Sequence, residues 1–336
     1  MSFDLTGKTV LFFGPETFGY EIEIVKELER LGGRVTFRSD KPGKSFLLKA
    51  LIRLSPRLLW KYSDRIFRKW LGTHAPTRCD VVLVIKGEGL SPRFIDELRH
   101  RYSGACFIFY LWDSIKNVKH SEQKLNKFDH AFSFDAQDCR QYPALKYRPL
   151  FFLDRFLPQS DQAGDGCFFI GTLNGDRPAV ISRVLRALPS GTAFNYWLFV
   201  RSNIELLLRR IFDQSMASLE SDRLLKIPMP SAIVSQNFQA SAVILDIEHP
   251  NQFGLTMRTF EVLASGKKLI TTNESIASHD FYSPDRICII DRESPNIPAS
   301  FFERKADALP QAFFERNSLR GWMSELLACC NAVNRN

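Results

Sequence analysis

Two carboxylates follow two consecutive apolar runs in the first half of the chain. Residues 81–85, VVLVI, are followed by Glu88, and residues 106–111, CFIFYL, are followed by Asp113. Such runs predict buried parallel strands, whose carboxyl ends form the ligand-binding edge of an open α/β sheet. A carboxylate at that edge can act as the general base that deprotonates an acceptor hydroxyl. Asp113 and Glu88 are therefore alternative candidates for the base, and a loop cap or an ion pair is the structural alternative for each.

Three nearby residues are further candidates at this edge. Lys86 can pair with either carboxylate, and Trp112 follows the second apolar run. Both residues are therefore predicted to lie on the side of the site that binds the acceptor, the molecule that carries this hydroxyl. Glu16 belongs to the loop 14–19, GPETFG, whose glycines have neither the spacing of a dinucleotide fingerprint nor the Gly-Lys-Ser/Thr of a phosphate loop. The loop is interpreted as the rim of a cleft with Glu16 as a polar contributor, or as a turn whose glycines serve only the backbone.

A strand, a loop, a helix and a second strand are predicted in succession over residues 241–273. The apolar run 242–247 predicts a buried strand, and residues 268–272 predict the next one. Thr256 is the predicted N-cap of the intervening helix, and Gly266 is the C′ residue that ends it. The helix N-terminus then lies at the carboxyl end of the first strand, where free N–H groups and the helix dipole favour an anionic ligand.

Arg258 and Glu261 lie three residues apart and share one face of this helix. An arginine in the first turn is mildly unfavourable for the helix dipole unless a negative group lies beside it. A guanidinium suits a phosphate, and a carboxylate suits the hydroxyls of a ribose. The alternative is a surface ion pair, which contributes about a few tenths of a kcal/mol.

The segment GLTMRTFEVLASGKKLITTN, residues 254–273, resembles the C-terminal nucleotide-binding unit of GT-B fold glycosyltransferases. Glu261, Ala264 and Gly266 match the family pattern E-A-hydrophobic-A-x-G, and Val262 departs from its first alanine. The Arg-x-x-Glu spacing is closer to the CgeB-like branch found in bacterial surface-polysaccharide gene sets. The resemblance implies a nucleotide-sugar donor, with Glu261 on its ribose or sugar and Arg258 near its phosphates.

A second loop is similar to the first loop of the GT-B C-terminal domain. Residues 167–177, CFFIGTLNGDR, predict a strand, a glycine loop and the start of a helix. The resemblance implies that Gly171 and Thr172 approach the donor phosphates and that Arg177 neutralises them. A charged first turn of a helix is the alternative.

Two further residues are assigned to the donor site. His249 and Pro250 resemble the His-Pro pair that some GT-B sialyltransferases place on the phosphate of a CMP-sugar, and an ordinary loop histidine is the alternative. Asn273 ends the last strong strand and is expected to face the same site.

Length and composition predict two domains. The chain has 336 residues, 45% hydrophobic and 24% charged, which describes an ordinary globular protein with two cores. Residues 151–166 form the predicted linker. We expect an α/β protein of two Rossmann-like domains facing a cleft, the GT-B arrangement. Residues 1–155 are the acceptor domain with a basic insertion at 41–71, and residues 156–336 are the donor domain, whose terminal helix packs back.

Residues 41–70 contain nine Lys or Arg and one acid, Asp64. Their net charge of +8 equals the net charge of the whole chain. Interleaved Phe, Trp and Leu residues are typical of a surface that meets anionic lipid, and Pro56 is expected to divide the stretch into two short helices. The predicted membrane contacts are Lys49, Arg53, Arg57, Trp60, Arg65, Arg68 and Trp70. A packed helix and a nucleic-acid patch are the alternatives, but no nucleic-acid motif accompanies the charge, and no nucleic acid is expected as a partner.

The cysteine pattern and the opening residues limit the classes of protein that the sequence favours. Seven cysteines without a C-x-x-C spacing favour neither a zinc site nor a secreted disulfide framework. No D-x-D metal motif occurs, and neither a bound metal nor a cofactor is expected, because arginines and helix N-termini can offset the leaving phosphate charge. No signal-peptide pattern and no apolar run of about 20 residues is found. We expect a cytoplasmic protein at the inner face of the cytoplasmic membrane.

Together with these features, the resemblance implies a metal-independent, inverting glycosyltransferase of bacterial cell-surface glycan synthesis, for lipopolysaccharide, O-antigen or capsule. The predicted partners are a nucleotide-sugar donor, a polysaccharide or lipid-linked acceptor, and an anionic membrane surface bound through residues 41–70. The alternatives are a transferase for a CMP-linked acidic sugar such as Kdo or sialic acid, a nucleotide-sugar epimerase, and a non-catalytic membrane scaffold. Fold alone does not distinguish these functions.

Overall fold

The computed structural model describes residues 3–43, 55–159, 164–250 and 252–330. The chain separates into two compact units, one formed by Met1–Leu150 with Leu319–Asn336 and the other by Phe151–Ser318. Each unit contains a six-stranded sheet. None of the helices in the described ranges combines the length and the apolar character that crossing a bilayer requires.

The first unit is built on a parallel sheet with the strand order β2-β1-β3-β4-β5-β6. Its elements are β1 (Thr9–Gly14), α1 (Tyr20–Arg30), β2 (Arg34–Ser39), α2 (Pro56–His74), β3 (Val81–Ile85), α3 (Pro92–Arg101), β4 (Cys106–Leu111), β5 (His130–Ser133), α4 (Ala136–Gln141) and β6 (Leu145–Tyr147). The strands β3 and β4 are buried at every residue, because the two faces of a parallel sheet are covered by helices. The chain changes direction across the sheet between β1 and β3, and ligands of such sheets bind at the carboxyl ends beside this point.

Helix α2 contains the described part of the basic stretch and begins at Pro56, where a residue without an N–H group is tolerated. Its inner side packs on the core of the unit, since Phe67 is buried and the ring of Trp70 lies 5.9 Å from that of Phe13. Its outward face carries the exposed side chains of Arg57, Leu58, Lys61, Tyr62, Arg65, Arg68 and Lys69. The helix is therefore amphipathic, with a basic outer face.

The predicted membrane contacts are affected in different ways by this packing. Lys49 and Arg53 lie outside the described residues. Trp60 is half-buried with its ring 5.7 Å from that of His120, and Trp70 is turned toward the core. Part of the apolar surface of Trp70 is therefore used by the core, and part of that of Trp60 by His120.

The second unit is a parallel sheet with the strand order β12-β11-β10-β7-β8-β9. Its elements are β7 (Cys167–Thr172), α5 (Arg177–Ala187), β8 (Phe194–Phe199), α6 (Asn203–Phe212), β9 (Leu224–Leu225), α7 (Ser231–Ala240), β10 (Val243–Asp246), α8 (Met257–Ala264), β11 (Lys268–Thr271), β12 (Ile287–Ile289), α9 (Ala299–Glu303) and α10 (Gln311–Asn317). Counted within the unit, this is the strand order of a Rossmann sheet, and its switch point lies between β7 and β10.

The predicted succession of strand, loop, helix and strand is confirmed by β10, α8 and β11. The Thr256 hydroxyl caps α8 by accepting a hydrogen bond from the backbone N–H of Thr259 at 3.4 Å. Gly266 follows the C-cap with φ of 70°, the left-handed conformation that ends many helices. The local signals in this segment therefore agree with the fold.

The last helix, α11 (Leu319–Ala328), belongs to the first unit. The buried ring of Trp322 packs edge-on against Tyr110 at 4.7 Å, and Arg320 Nε lies 2.7 Å from Glu27 Oε1. The sequence interpretation assigned residues 156–336 to the second domain and expected its terminal helix to pack back, and in the structure the chain returns to the first unit at Leu319.

A disulfide between Cys106 and Cys330 ties the end of the described chain to the start of β4, with a Cα–Cα distance of 5.6 Å. The two cysteines are 224 residues apart in sequence. Cysteine spacing gave no indication of this pair, because tertiary packing of the last helix brings the two residues together.

Candidate functional site

Charged side chains converge at the carboxyl edge of the first sheet. Lys86, just after β3, places its Nζ 2.5 Å from Asp113 Oδ2 and 3.1 Å from Glu88 Oε1. Lys41, after β2, lies 2.8 Å from the other oxygen of Glu88. Three residues that were predicted from the sequence, Lys86, Glu88 and Asp113, are therefore in contact in the structure. Lys41 is a fourth member of the cluster that was not predicted.

The turn after β3 shapes this cluster. Lys86 and Gly87 both have positive φ, 65° and 60°, and the backbone N–H of Lys86 donates to Tyr110 O at 2.9 Å. A Cβ at Gly87 would lie 2.8 Å from Val84 Cγ1, so glycine is required there. Left-handed backbone is unfavourable for lysine and persists where surrounding contacts fix it. The two ion pairs of Lys86 are among those contacts.

Exposure and charge distinguish Glu88 from Asp113. Burial raises the pKa of Glu88, but Lys86 and Lys41 outweigh burial and lower it to about 2. The side chain of Asp113, in contrast, is 34% exposed. A buried carboxylate with so low a pKa is a weak base, and Asp113 is the more exposed of the two carboxylates. Burial opposes the charge on Lys86, yet Asp113 and Glu88 raise its pKa, and the ammonium persists.

Two buried members of the cluster were missed by the sequence interpretation. Asp40 follows β2, and its Oδ2 accepts a hydrogen bond from the backbone N–H of Glu88 at 3.0 Å. Burial raises the pKa of Asp40 to about 6. Lys124 Nζ donates to Gly87 O at 2.6 Å, and burial lowers its pKa to about 8. Asp40 could have been found from sequence, because it follows a strand at the same edge as Glu88, but Lys124 lies in a connection with no such signal.

The remaining candidates of the first unit flank this cluster. Glu16 is exposed on the loop after β1, and Trp112 is half-buried at the end of β4. The loop that follows is fixed by Ser114, whose hydroxyl donates to Asp135 Oδ2 at 2.6 Å. Asp135 also caps α4 by accepting a hydrogen bond from the backbone N–H of Gln137 at 2.9 Å.

Arg177 occupies the switch point of the second sheet. Its Nε and Nη2 donate to Ile247 O at 2.9 and 2.7 Å, and its Nη1 donates to Thr172 O at 3.0 Å. A Cβ at Gly171 would lie 2.8 Å from the Phe169 ring and 3.3 Å from Arg177 Nη1, which favours glycine at this position. The three residues of the predicted phosphate loop therefore meet at the ends of β7 and β10, with the guanidinium bonded to carbonyl oxygens.

Arg292 is the centre of a network that the sequence interpretation missed. It forms a bidentate pair with Asp176 at 2.8 and 2.7 Å. Its Nη1 also donates to Glu248 Oε1 at 2.7 Å and to Thr272 Oγ1 at 2.9 Å. The hydrogen bonds from Arg292 lower the pKa of Asp176, and burial raises that of Glu248. Arg292 could have been selected from the sequence as a site residue, because it lies just after β12 and the carboxyl ends of the strands form this edge.

The side chains of Arg258 and Glu261 form an i,i+3 ion pair with Nη1 3.0 Å from Oε2, but it is not the surface pair of the alternative interpretation, because Glu261 is buried. The Arg258 guanidinium also lies over the ring of Phe238, 5.0 Å from its centre. Glu261 is fully buried, while the side chain of Arg258 is 23% exposed. In this structure the arginine is the part of the pair that a ligand can reach.

His249 and Asn273 both lie at the carboxyl edge of the second sheet. His249 is half-buried after β10, and its carbonyl accepts from the backbone N–H of Gln252 at 2.9 Å. Asn273 Oδ1 accepts from the N–H of Ser275 at 3.0 Å, and its Nδ2 donates to Phe253 O at 3.4 Å. Asn273 therefore connects the end of β11 to the loop that precedes α8.

Comparison with known proteins identifies the fold. No protein-family model matches the chain, and no curated protein sequence matches it. A glycosyltransferase structure from Rickettsia africae is similar, with a TM-score of 0.62, 12% identity, and coverage of 98% of this chain and 99% of that chain. The lipopolysaccharide outer core galactosyltransferase WaaB has a TM-score of 0.51, 14% identity, and coverage of 97% and 99%. Anabaena HepE in complex with UDP has a TM-score of 0.54, 10% identity, and coverage of 97% and 98%.

These likenesses extend over both units. At such low identity they establish the fold alone, and they confirm the predicted GT-B class of two Rossmann-like units in one chain. The CgeB-like branch stays a prediction.

Proposed function

We propose that the protein is a glycosyltransferase that uses a nucleotide-sugar donor. The observation that carries the proposal is the charge at the carboxyl edge of each Rossmann sheet, where ligands of such sheets bind. The first unit presents the half-exposed carboxylate of Asp113, and the second presents Arg177 at its switch point. Support comes from the fold shared with WaaB, a galactosyltransferase, and with HepE, whose structures contain UDP and UDP-glucose.

The donor binds at the second unit in this proposal. The N-terminus of α8 and the guanidinium of Arg258 offer positive charge to the phosphates, and Arg177 adds a fixed cation at the strand ends. Glu261 holds Arg258 in place through the 3.0 Å ion pair. Because Glu261 is fully covered, the ribose contact implied by the family resemblance requires that pair to open.

The other donor residues have supporting parts in the proposal. Gly171 and Thr172 bring backbone close to the phosphates, and His249 and Asn273 shape the loop between β10 and α8. We further propose that the reaction needs no bound metal, because arginines and the helix N-terminus offset the charge of the departing phosphate.

Asp113 is the base of the proposed inverting reaction. The acceptor oxygen attacks the anomeric carbon, its proton passes to the Asp113 carboxylate, and the bond to the phosphate oxygen breaks with its electron pair leaving on the nucleotide. Lys86 orients Asp113 at 2.5 Å, and Glu88 holds Lys86 from the other side. Glu88 is thus a positioning residue, and Glu16 and Trp112 line the approach of the acceptor.

The proposed acceptor is a polysaccharide or a lipid-linked glycan of the bacterial cell surface. The basic outer face of α2, with Arg57, Lys61 and Arg65, supports contact with an anionic membrane at its cytoplasmic side. WaaB acts on the lipopolysaccharide outer core, which agrees with this assignment.

The test is turnover of a panel of UDP-, GDP-, dTDP- and CMP-sugars with and without a bacterial glycolipid extract. We expect release of one nucleotide that depends on the acceptor, with a glycosylated product detected by mass spectrometry. Asp113→Asn should lower kcat by about a hundredfold or more, whereas Asp96→Asn, on the exposed surface of α3, should leave it unchanged. Conversion of a donor to its epimer without acceptor would instead identify an epimerase, and the absence of any turnover would contradict the proposal.

A further inference from the structure

Helix α6 (Asn203–Phe212) turns its apolar side toward solvent. None of its residues is buried. The exposed fractions are 72% for Ile204, 60% for Leu207, 49% for Leu208, 63% for Ile211 and 79% for Phe212. These positions recur at intervals of three and four, so they form one continuous stripe along the helix. A globular helix normally directs such a stripe to the core, and an exposed apolar patch of this kind marks an interaction surface.

The inner side of α6 is polar instead. Arg209 Nη1 lies 3.3 Å from Asp213 Oδ2 and donates to Gly175 O at 3.0 Å, and Arg209 Nε lies 3.7 Å from Glu205 Oε1. Leu206 is the residue of the helix that packs against the core of the unit. Arg209 therefore links the helix to Gly175, while its ion pairs run along the helix itself, and five apolar side chains remain outside.

The exposed charges within residues 201–212 are positive. Arg201, just before the helix, and Arg210, on it, are exposed, whereas the acids Glu205 and Asp213 face inward and pair with Arg209. Apolar side chains flanked by arginines match the two layers of an anionic bilayer surface, acyl chains and headgroup phosphates. Two copies of α6 packed face to face would bring like-charged arginines together, which disfavours self-association.

We propose that α6 docks on a membrane that contains anionic lipid. Ile204, Leu207, Leu208, Ile211 and Phe212 enter the acyl boundary, and Arg201 and Arg210 meet headgroup phosphates. This surface lies on the second unit and is separate from the basic face of α2. Because α6 begins just after β8 and touches Gly175 in the loop after β7, docking takes place beside the carboxyl edge to which the donor is assigned.

The experiment is sedimentation of the full chain with vesicles of phosphatidylcholine alone, or of phosphatidylcholine and phosphatidylglycerol in equal parts. We expect binding to the anionic vesicles only. The double variant Leu207→Gln with Ile211→Gln should bind about tenfold or more weakly, and Arg210→Gln about fivefold more weakly. The matched control is Leu185→Gln on α5, an exposed leucine outside the stripe, which should bind as the parent does.

The results of this experiment distinguish membrane binding by the apolar stripe of α6 from binding by the basic face of α2 and from dimer formation. Equal binding of the double variant and the parent overturns the inference, even if Arg57→Gln with Arg65→Gln on α2 abolishes binding. A parent that forms dimers in gel filtration without lipid, lost in the double variant, assigns the stripe to a second copy and also overturns it. Nucleotide binding, measured by thermal shift in the same variants, should not change, so failure here is distinct from failure of the proposed transferase function.

Discussion

Replacing Asp40 tests the charge arrangement at the first sheet edge most sharply. Its carboxyl is fully buried, and burial raises its pKa to about 6 although Lys41 opposes the change. Oδ2 accepts from the Glu88 N–H, while no described residue forms a hydrogen bond with Oδ1. The substitution Asp40→Asn keeps one acceptor oxygen for Glu88 and removes the charge, so it should stabilise the protein at neutral pH.

The magnitude follows from the two pKa values of Asp40. The carboxyl has an ordinary pKa of 3.8 in the unfolded chain and about 6 in the folded one. The folded protein therefore favours the protonated acid, and ionisation destabilises it increasingly as pH rises from about 3.8 to about 6. The full cost is about 3 kcal/mol above pH 6 and about half of that at pH 5.

Urea unfolding followed by tryptophan fluorescence measures this effect. Trp60, Trp70, Trp112 and Trp322 lie in the first unit, and Trp197 lies in the second. The free energy of unfolding of Asp40→Asn should exceed that of the parent by up to about 3 kcal/mol at pH 8, and by less at pH 5. The surface control Asp96→Asn should differ by less than about 1 kcal/mol at both pH values. A variant that is less stable than the parent, or a gain that is equal at both pH values, would refute the reasoning.

Three further predictions concern the two sheet edges. Glu88→Gln should lower the free energy of unfolding, measured by urea denaturation, by about 3 kcal/mol, because it leaves buried lysines without a charged partner. Asp113→Asn, in contrast, should lower kcat in the rate assay and leave the free energy of unfolding nearly unchanged. Gly89→Ala should destabilise by about 2 kcal/mol, because its Cβ would lie 2.3 Å from Asp40 O, which urea unfolding measures. Arg292→Met should lower the free energy of unfolding by about 3 kcal/mol, because two carboxylates lose their partner, and calorimetry should show this as a lower melting temperature. Arg292→Lys should restore part of that melting temperature.

Much of the fold follows from local patterns in the sequence. The run VVLVI predicts β3 because a strand buried on both faces must be apolar throughout. The N-cap Thr256 and the C′ residue Gly266 set the ends of α8 because each satisfies backbone groups locally. Glu88 and Asp113 meet through Lys86 because parallel strands deliver their ends to one edge.

Other features depend on contacts between distant residues and were not predictable from spacing. Arg292 meets Asp176 across 116 residues, and Cys330 meets Cys106 across 224. Helix α6 illustrates a different limit. The pattern IELLLRRIF predicts an amphipathic helix but does not say which face is inward, and here the side with the ion pairs is the inner one. The helix ends at Phe212, because Asp213 accepts from the Ser215 N–H and starts a new turn.

Calorimetric titration of the full chain with UDP, GDP, dTDP, CMP and ADP tests the central claim most directly. We predict that one of these nucleotides binds and that Glu261→Gln and Arg258→Gln each weaken it by about tenfold or more, since a charge-assisted contact is lost or released. The exposed control Glu293→Gln, on the loop after β12, should bind as the parent does. Failure of every nucleotide to bind, or equal binding by the parent and the Arg258 and Glu261 variants, would contradict the assignment of the second unit as the donor site.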